Sequence, residues 1–493
     1  MTTAKHRMVI VSNRLPVTIG KKAEGYPLSP SSGGLVTALR PLLRDCAGVW
    51  IGWTGTDESP EIERIVKDYS RQSSFELKPV YMNAEERARF YNGFSNEVLW
   101  PLFHDLQSRC NFDPRYWDTH LAINERFARK AASEARPGDL IWVHDYHLMS
   151  VAGGLRKLGV HEMLSYFHHI PFPSPDIFEK LPWREEILTG LLEFDVVGFQ
   201  TLRDRRNFVS CLRHFVKEVE IRTADDHLIV EEPDRRTIVG AFPISIDFEE
   251  FAAGAATEEV AARTAKIVHG LNGSRIILGV DRLDYTKGIP ERLNAFRHLL
   301  DGHPELQEKL TLVQVVVPSR EDIPKYGELK AQIQRLVSEI NGHYGEPGWV
   351  PVHYIHRNLD RPELLAYYCA ADIALITPLK DGMNLVSKEY CASRVNEDGV
   401  LILSEFAGAA FQLHRGALLV NPYDRRAVAE AIRQACNMPP AEQRKRMRKI
   451  RASIRREDIF HWRDSFCRCG EAISAPVLAD HTGTDAFSYR PLM

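Results

Sequence analysis

The sequence predicts an α/β protein made of two doubly wound domains that face each other across a cleft. Three observations lead there. The chain has 493 residues, enough for two domains of ordinary size. Between about residues 274 and 436, short apolar runs alternate with amphipathic stretches, as in a parallel sheet covered on both faces. In both halves polar and charged residues gather just after the apolar runs. Those are the strand ends where open α/β sheets bind ligands.

In chain order, residues 8–11 form the first strand, which ends at Ser12-Asn-Arg-Leu-Pro16. Ser31-Ser-Gly-Gly34 precedes an apolar helical pattern on Leu35, Leu39, Leu42 and Leu43. Strand 140–143 runs into His144-Asp-Tyr-His147, strand 164–167 into His168-His-Ile-Pro-Phe-Pro173, and 195–199 is a fourth strand. The domain changes near Pro243, so that residues 1–243 form one domain and 244–454 the other. In the second half, strand 275–280 is followed by a helix opening near Pro290, with Leu293, Phe296, Leu299 and Leu300 on one face. Then come strand 310–317, a helix with Leu329, Ile333, Leu336 and Ile340 inward, strand 352–355, helix 362–370 and strand 372–377. The 381–390 loop and helix, strand 400–403, strand 417–420 and helix 426–436 complete the series. Residues 475–493 lack periodicity and read as a tail.

The composition, 44% hydrophobic and 26% charged, is that of a globular protein with a large core. A net charge of −3 gives no general surface for nucleic acid or membrane, so any anion site must rest on a few placed cations. The opening apolar run is too short for a signal peptide or a membrane span. Eight scattered cysteines show no pairing at zinc-site spacing and read as reduced thiols of a cytoplasmic protein.

The chemistry concentrates in two segments. Asp381-Gly-Met-Asn-Leu-Val-Ser-Lys-Glu389 puts a carboxylate on a turn, a helix start at Asn384, and a second carboxylate eight residues after the first. Backbone N–H groups at a helix start attract phosphate, and carboxylates accept hydrogen bonds from sugar hydroxyls. Alone, this reads equally well as an ordinary strand–loop–helix junction. Asp281-Arg-Leu-Asp-Tyr-Thr-Lys-Gly288 supplies the positive charge a nucleotide-sugar site needs: Arg282 as a fork and Lys287 as a point charge. Arg320 and Arg14 each follow a strand, one in each domain, and together could clamp a second phosphate. Asp145 and His169 also follow strands and could bind sugar hydroxyls. Trp50, Trp53, Tyr91 and Trp100 lie in aromatic-rich segments, as core or flanking a sugar. Gly33-Gly34 is a weak signal for close backbone approach. The paired histidines lack zinc spacing, and no dinucleotide or P-loop glycine motif occurs, which disfavours metal, redox and nucleotide-hydrolysis chemistry.

These residues resemble a known family, the retaining glycosyltransferases that make trehalose 6-phosphate. The resemblance covers residues 8–470 and rests on Val11-Ser-Asn-Arg14, Ser32-Gly-Gly-Leu35, Gly52-Trp53, Tyr91-Asn-Gly-Phe-Ser-Asn96, Leu99-Trp-Pro101, His144-Asp-Tyr-His147, His169-Ile-Pro-Phe-Pro173, Arg282-Leu-Asp-Tyr-Thr-Lys-Gly288, Ser319-Arg320 and the 381–389 segment. It implies a GT-B fold of two Rossmann-like domains, with a helix at about 455–474 crossing back to the first. It implies that Arg282 and Lys287 bind the donor diphosphate, that Glu389 holds the ribose, and that Asp381 with His169 holds the donor glucose. Gly34, Asn384, Leu385 and Val386 line the donor site through their backbone. Arg14, Tyr91 and Arg320 grip the acceptor phosphate, with Trp53, Trp100 and Asp145 around its sugar. The implied donor is UDP-glucose, although the residues leave the base open among uracil, guanine and adenine. The implied acceptor is glucose 6-phosphate, with no cofactor, no metal and a homo-oligomeric assembly (dimer or tetramer). A sister activity on glycerol 3-phosphate, or a catalytically silent regulatory subunit, are the alternatives.

Overall fold

The computed structural model describes residues 7–20, 28–30, 34–44, 48–224, 226–320 and 323–474. The first sheet has nine strands, in the order Glu76–Val80, Val49–Trp53, Met8–Arg14, Leu140–His144, Met163–Phe167, Val196–Phe199, Arg235–Ala241, His227–Glu232 and Glu220–Ala224. Its first seven strands pair in parallel, and the last two form an antiparallel extension. The second sheet has six parallel strands, in the order Val352–Ile355, Leu310–Val317, Arg275–Arg282, Ile373–Ile376, Val400–Ser404 and Leu418–Val420. Parallel strands need helical crossovers, and helices packed on both faces leave strands such as Met8–Arg14 buried at every residue but the last.

The first strand runs three residues further than its apolar run suggested. Its register shifts between Val11 and Arg14, which aims Ser12, Asn13 and Arg14 at the sheet's end. In the second half the observed strands and helices fall within a residue or two of the expected ones. Leu293, Phe296, Leu299, Ile333 and Ile340 are all buried.

Residues 242–247 carry the chain from Ala241 of the first sheet to the helix Phe248–Ala255 beside the second. The helix Ile459–Ser474 returns to the first sheet. Trp462 stacks on Trp142 at 4.8 Å between centroids, Phe466 stacks on Trp142 at 4.6 Å, and the Trp462 indole donates to the Phe242 carbonyl at 3.1 Å. The expected tail, 475–493, and Gly33 lie outside the described residues. Among the described residues, Cys110, Cys211, Cys369, Cys391, Cys436 and Cys469 are free thiols, and no helix is long and apolar enough to cross a membrane.

Candidate active site

The two sheets meet at their strands' C-terminal ends, and the segments singled out from the sequence converge there. Strand Arg275–Arg282 ends in a turn, Tyr285–Lys287, capped by Asp284, whose carboxylate accepts from the Thr286 N–H at 2.9 Å and hydroxyl at 2.8 Å. Gly288 follows with φ +63°, and a Cβ there would lie 2.5 Å from the Thr377 carbonyl oxygen, so only glycine fits. This geometry delivers Lys287, whose Nζ sits 2.7 Å from Asp381. Asn384 donates to the same carboxylate oxygen at 3.1 Å, and its own Oδ1 caps the helix Leu385–Ser393 through the Ser387 N–H. Burial pushes the Asp381 carboxyl up, but Lys287 and Asn384 outweigh it and hold it below the usual range. Leu385 and Val386 open this helix, half-buried. One turn on, Glu389 accepts from the Tyr368 hydroxyl at 2.8 Å, and burial raises its pKa. Arg282 stays exposed, its guanidinium 5.9 Å from the Trp100 ring.

On the opposite wall, the Arg14 guanidinium lies 4.1 Å over Trp53 and 5.7 Å from Tyr91. Arg320, at φ +52°, donates to Asp284 at 3.2 Å and to the Tyr326 hydroxyl at 2.7 Å, and stacks 4.4 Å over Trp100. Burial pushes the Tyr91 phenol up, but Arg320 and Arg14 bring it below its ordinary value. Asp145 sits at φ +76° and accepts from the Tyr146 N–H at 3.0 Å and the His169 N–H at 3.3 Å. Burial lifts its pKa to about 6 against the pull of those bonds and of Arg282 and Arg320. Gly34 opens the helix Gly34–Arg44, whose buried face includes Leu39 and Leu43.

The structure therefore gathers Arg282, Lys287, Asp381, Asn384, Leu385, Val386 and Glu389 on one side of the junction. Arg14, Trp53, Tyr91, Trp100 and Asp145 face them from the first half, and Arg320, on the second half, reaches over to Trp100 and Tyr146. His169 differs from its sequence reading as a ring open to a hydroxyl. Its Nε2 pairs with His144 Nδ1 at 3.0 Å and its Nδ1 with Gln200 Nε2 at 3.4 Å, so the imidazole is already committed. Its backbone lies instead against Gly382, where a Cβ would run into the His169 carbonyl oxygen and stand 3.0 Å from the Ile170 Cα. Of the aromatics, Trp50 is fully buried core, its indole bonded to Ser12.

Several participants escaped the sequence reading. Asp284 binds Arg320, Thr286 and, at 3.4 Å, the Trp100 indole of the other half. Its position inside the 281–288 segment was the available signal. Tyr146, inside the quoted His144–His147 segment but given no role there, and Tyr326 and Tyr368, from elements with no distinguishing pattern, supply hydroxyls to Arg320 and Glu389. Lys380 and Asp105 form an ion pair of 2.5 Å between residues 275 positions apart. Among the described residues, no three His, Cys, Asp or Glu side chains come together as a metal site.

Two facing parallel sheets, with paired cations and carboxylates where their loops meet, define a nucleotide-sugar transferase of the GT-B class. The chain matches the model of Glycosyltransferase family 20 over residues 6–470 and belongs to that family. It is 42% identical over 467 residues to an alpha,alpha-trehalose-phosphate synthase [UDP-forming] from Aspergillus niger, covering 94% of this chain and 96% of that one. The structure resembles that of an alpha,alpha-trehalose-phosphate synthase (UDP-forming) from Burkholderia xenovorans in complex with glucose-6-phosphate. The TM-score is 0.85 at 32% identity, covering 94% of this chain and all (100%) of the other. An E. coli structure bound with UDP-2-fluoro glucose aligns with a TM-score of 0.84 at 35% identity, covering 94% and 99% of the two chains. The GT-B expectation and the family resemblance drawn from the motifs are thus met.

Proposed function

We propose that this chain transfers glucose from UDP-glucose to glucose 6-phosphate with retention of configuration, releasing UDP and α,α-trehalose 6-phosphate. The observation that carries the reading is that two cation pairs meet at one junction: Arg282 with Lys287 after a strand of the second half, and Arg14 of the first half with Arg320 of the second, both acting on Tyr91. Two phosphate-bearing substrates need two such clusters, set so that one sugar meets the other. The acceptor half comprises residues 1–243 with the returning helix, and the donor half residues 244–454. Arg282 and Lys287 bind the diphosphate, and Glu389 takes the ribose. Asp381 takes the donor glucose, beside the backbone of His169, Gly34, Asn384, Leu385 and Val386. Arg14, Tyr91 and Arg320 hold the acceptor phosphate, and Trp53, Trp100 and Asp145 its sugar.

The acceptor hydroxyl attacks the anomeric carbon on the face the diphosphate leaves. The C–O bond to the leaving phosphate breaks as the new C–O bond forms, and a leaving phosphate oxygen takes the hydroxyl proton. Charge accumulates on that diphosphate in the transition state, where fixed cations stabilise it more than in the ground state. Closure of the two halves keeps water from the same carbon.

The test offers the purified chain UDP-, GDP- and ADP-glucose, each with glucose 6-phosphate or glycerol 3-phosphate, with and without a chelator. Trehalose 6-phosphate from UDP-glucose, undiminished by chelation, is the expected result. Product only with glycerol 3-phosphate moves the assignment to the sister activity, and binding without turnover on any pair points to a regulatory subunit.

A further inference from the structure

Residues 242–247 are the chain's crossing from the first sheet to the second, and their backbone is held on every side. The Phe242 N–H donates to Phe199 O at 2.7 Å, and the Ile459 N–H donates to Ile246 O at 3.0 Å. At the centre, one residue has both of its peptide groups taken by side chains from opposite halves. The Ile244 N–H donates to Gln200 Oε1 at 3.0 Å, and the Ile244 carbonyl accepts from Lys388 Nζ at 2.7 Å. Gln200 follows strand Val196–Phe199, and Lys388 lies on the helix Leu385–Ser393, between the capped Ser387 and Glu389. Gln200 is 2% exposed and Lys388 fully buried.

The bonds continue in one sense. Because the Ile244 N–H requires an acceptor, the glutamine amide must present Oε1 to the linker and Nε2 to His169. His169 Nδ1 must then accept, which leaves the proton on Nε2 to be donated to His144 Nδ1. A polarised chain therefore runs from the Ile244 N–H through Gln200 to His169 and His144, and Lys388 anchors its near end through the adjoining peptide carbonyl across the Ile244 Cα. The backbone of His169 is the part that touches Gly382, next to Asp381. The lysine is a costly choice for its place, since burial drags its pKa down to about 7, and methionine would fill the same space without a desolvated amine.

We propose that Gln200 and Lys388 are positioning residues that make Ile244 a coupling point, linking the setting of the donor-site helix to that of His169 across the hinge. The inference rests on the transferase reading given above. Neither side chain touches substrate; each acts by fixing the linker, and through it the ring and backbone of His169.

The test uses the full chain with Lys388→Met, Gln200→Leu and the double substitution. Each is assayed for kcat, both KM values and Tm, with 15N NMR of the histidine rings reporting the His169 tautomer. Each single variant is expected to lose about tenfold or more in kcat, with both KM values within about threefold, as for a misplaced group that holds no ligand itself. Lys388→Met should move the His169 resonances under conditions where its melt shows the chain folded. The double variant should lose no more than the worse single, because both arms act through one residue. An active wild type with unaffected variants, losses that multiply in the double, or His169 signals unmoved by Lys388→Met would each overturn the coupling. A wild type that makes no trehalose 6-phosphate removes the activity reading instead, and the NMR arm still tests the link by itself.

Discussion

Arg282 and Lys287 are five residues apart and differ in their state. Lys287 gives one of its donors to Asp381, whereas Arg282 keeps its guanidinium exposed beside Trp100. Arg282 is thus the cation most available to charge developing on a leaving group. Arg282→Ala is expected to lower kcat by about 10²–10³-fold, the cost of deleting one transition-state donor. Near-normal kcat in that variant would remove the role. Asp145 makes a different prediction. With its pKa lifted to about 6 from 3.8, the folded chain keeps a proton there that the unfolded chain has released between about pH 4 and 6. Its contribution to stability therefore falls as pH rises through that window and stays unfavourable above it. Asp145→Asn should melt higher than wild type at pH 7.5, and this advantage should shrink toward pH 4. The same substitution should raise the KM for glucose 6-phosphate several-fold, since an amide replaces an anionic acceptor of hydroxyl bonds. Thermal melts at the two pH values and acceptor titrations check both parts.

The strand–turn–helix unit from Arg275 to Gly302 holds the loop carrying Arg282 and Lys287 by a network beneath it. Arg292, fully buried, bonds Asp281, Gln314 at 2.9 Å, Thr377 at 3.1 Å and the Lys287 carbonyl at 3.4 Å. Helical spacing marked Leu293, Phe296, Leu299 and Leu300 on this helix but gave no hint of a buried guanidinium. Arg292→Met leaves the Asp281 carboxylate buried without its partner, a loss of about 3–5 kcal/mol. Denaturant unfolding should show the transition moved down accordingly, with Asp281→Leu in the same chain recovering much of it. A single variant as stable as wild type would mean that the pair does not support the loop.

At the scale of the whole molecule, the Lys380–Asp105 pair joins the loop carrying Asp381 to the turn after Trp100 and His104. Asp105 is half exposed, so the pair itself contributes only roughly 1 kcal/mol, less at high salt. Because the pair bridges the two halves, breaking it would favour their separation and admit water to a bound donor. Asp105→Asn should raise the ratio of UDP-glucose hydrolysis to transfer a few-fold, with 0.5 M salt producing a similar shift in the wild type. An unchanged ratio in both would show that the pair does not govern closure.

The strand and helix order, the cleft and the Arg282, Lys287, Asp381 and Glu389 positions were legible in the chain because they depend on local rules. Apolar runs of fixed period make strands and helices, and polar residues just after a strand land at the sheet's edge. The family's motifs then supplied the substrates, which no periodicity contains. Tertiary structure alone decided which groups meet. The committed ring of His169, Asp284 beneath both Arg320 and Trp100, Tyr368 on Glu389 and Lys388 on the linker all join residues 20 or more positions apart. Their partners are fixed by how two sheets and a crossing segment pack, and a buried donor finds its acceptor only once that packing exists.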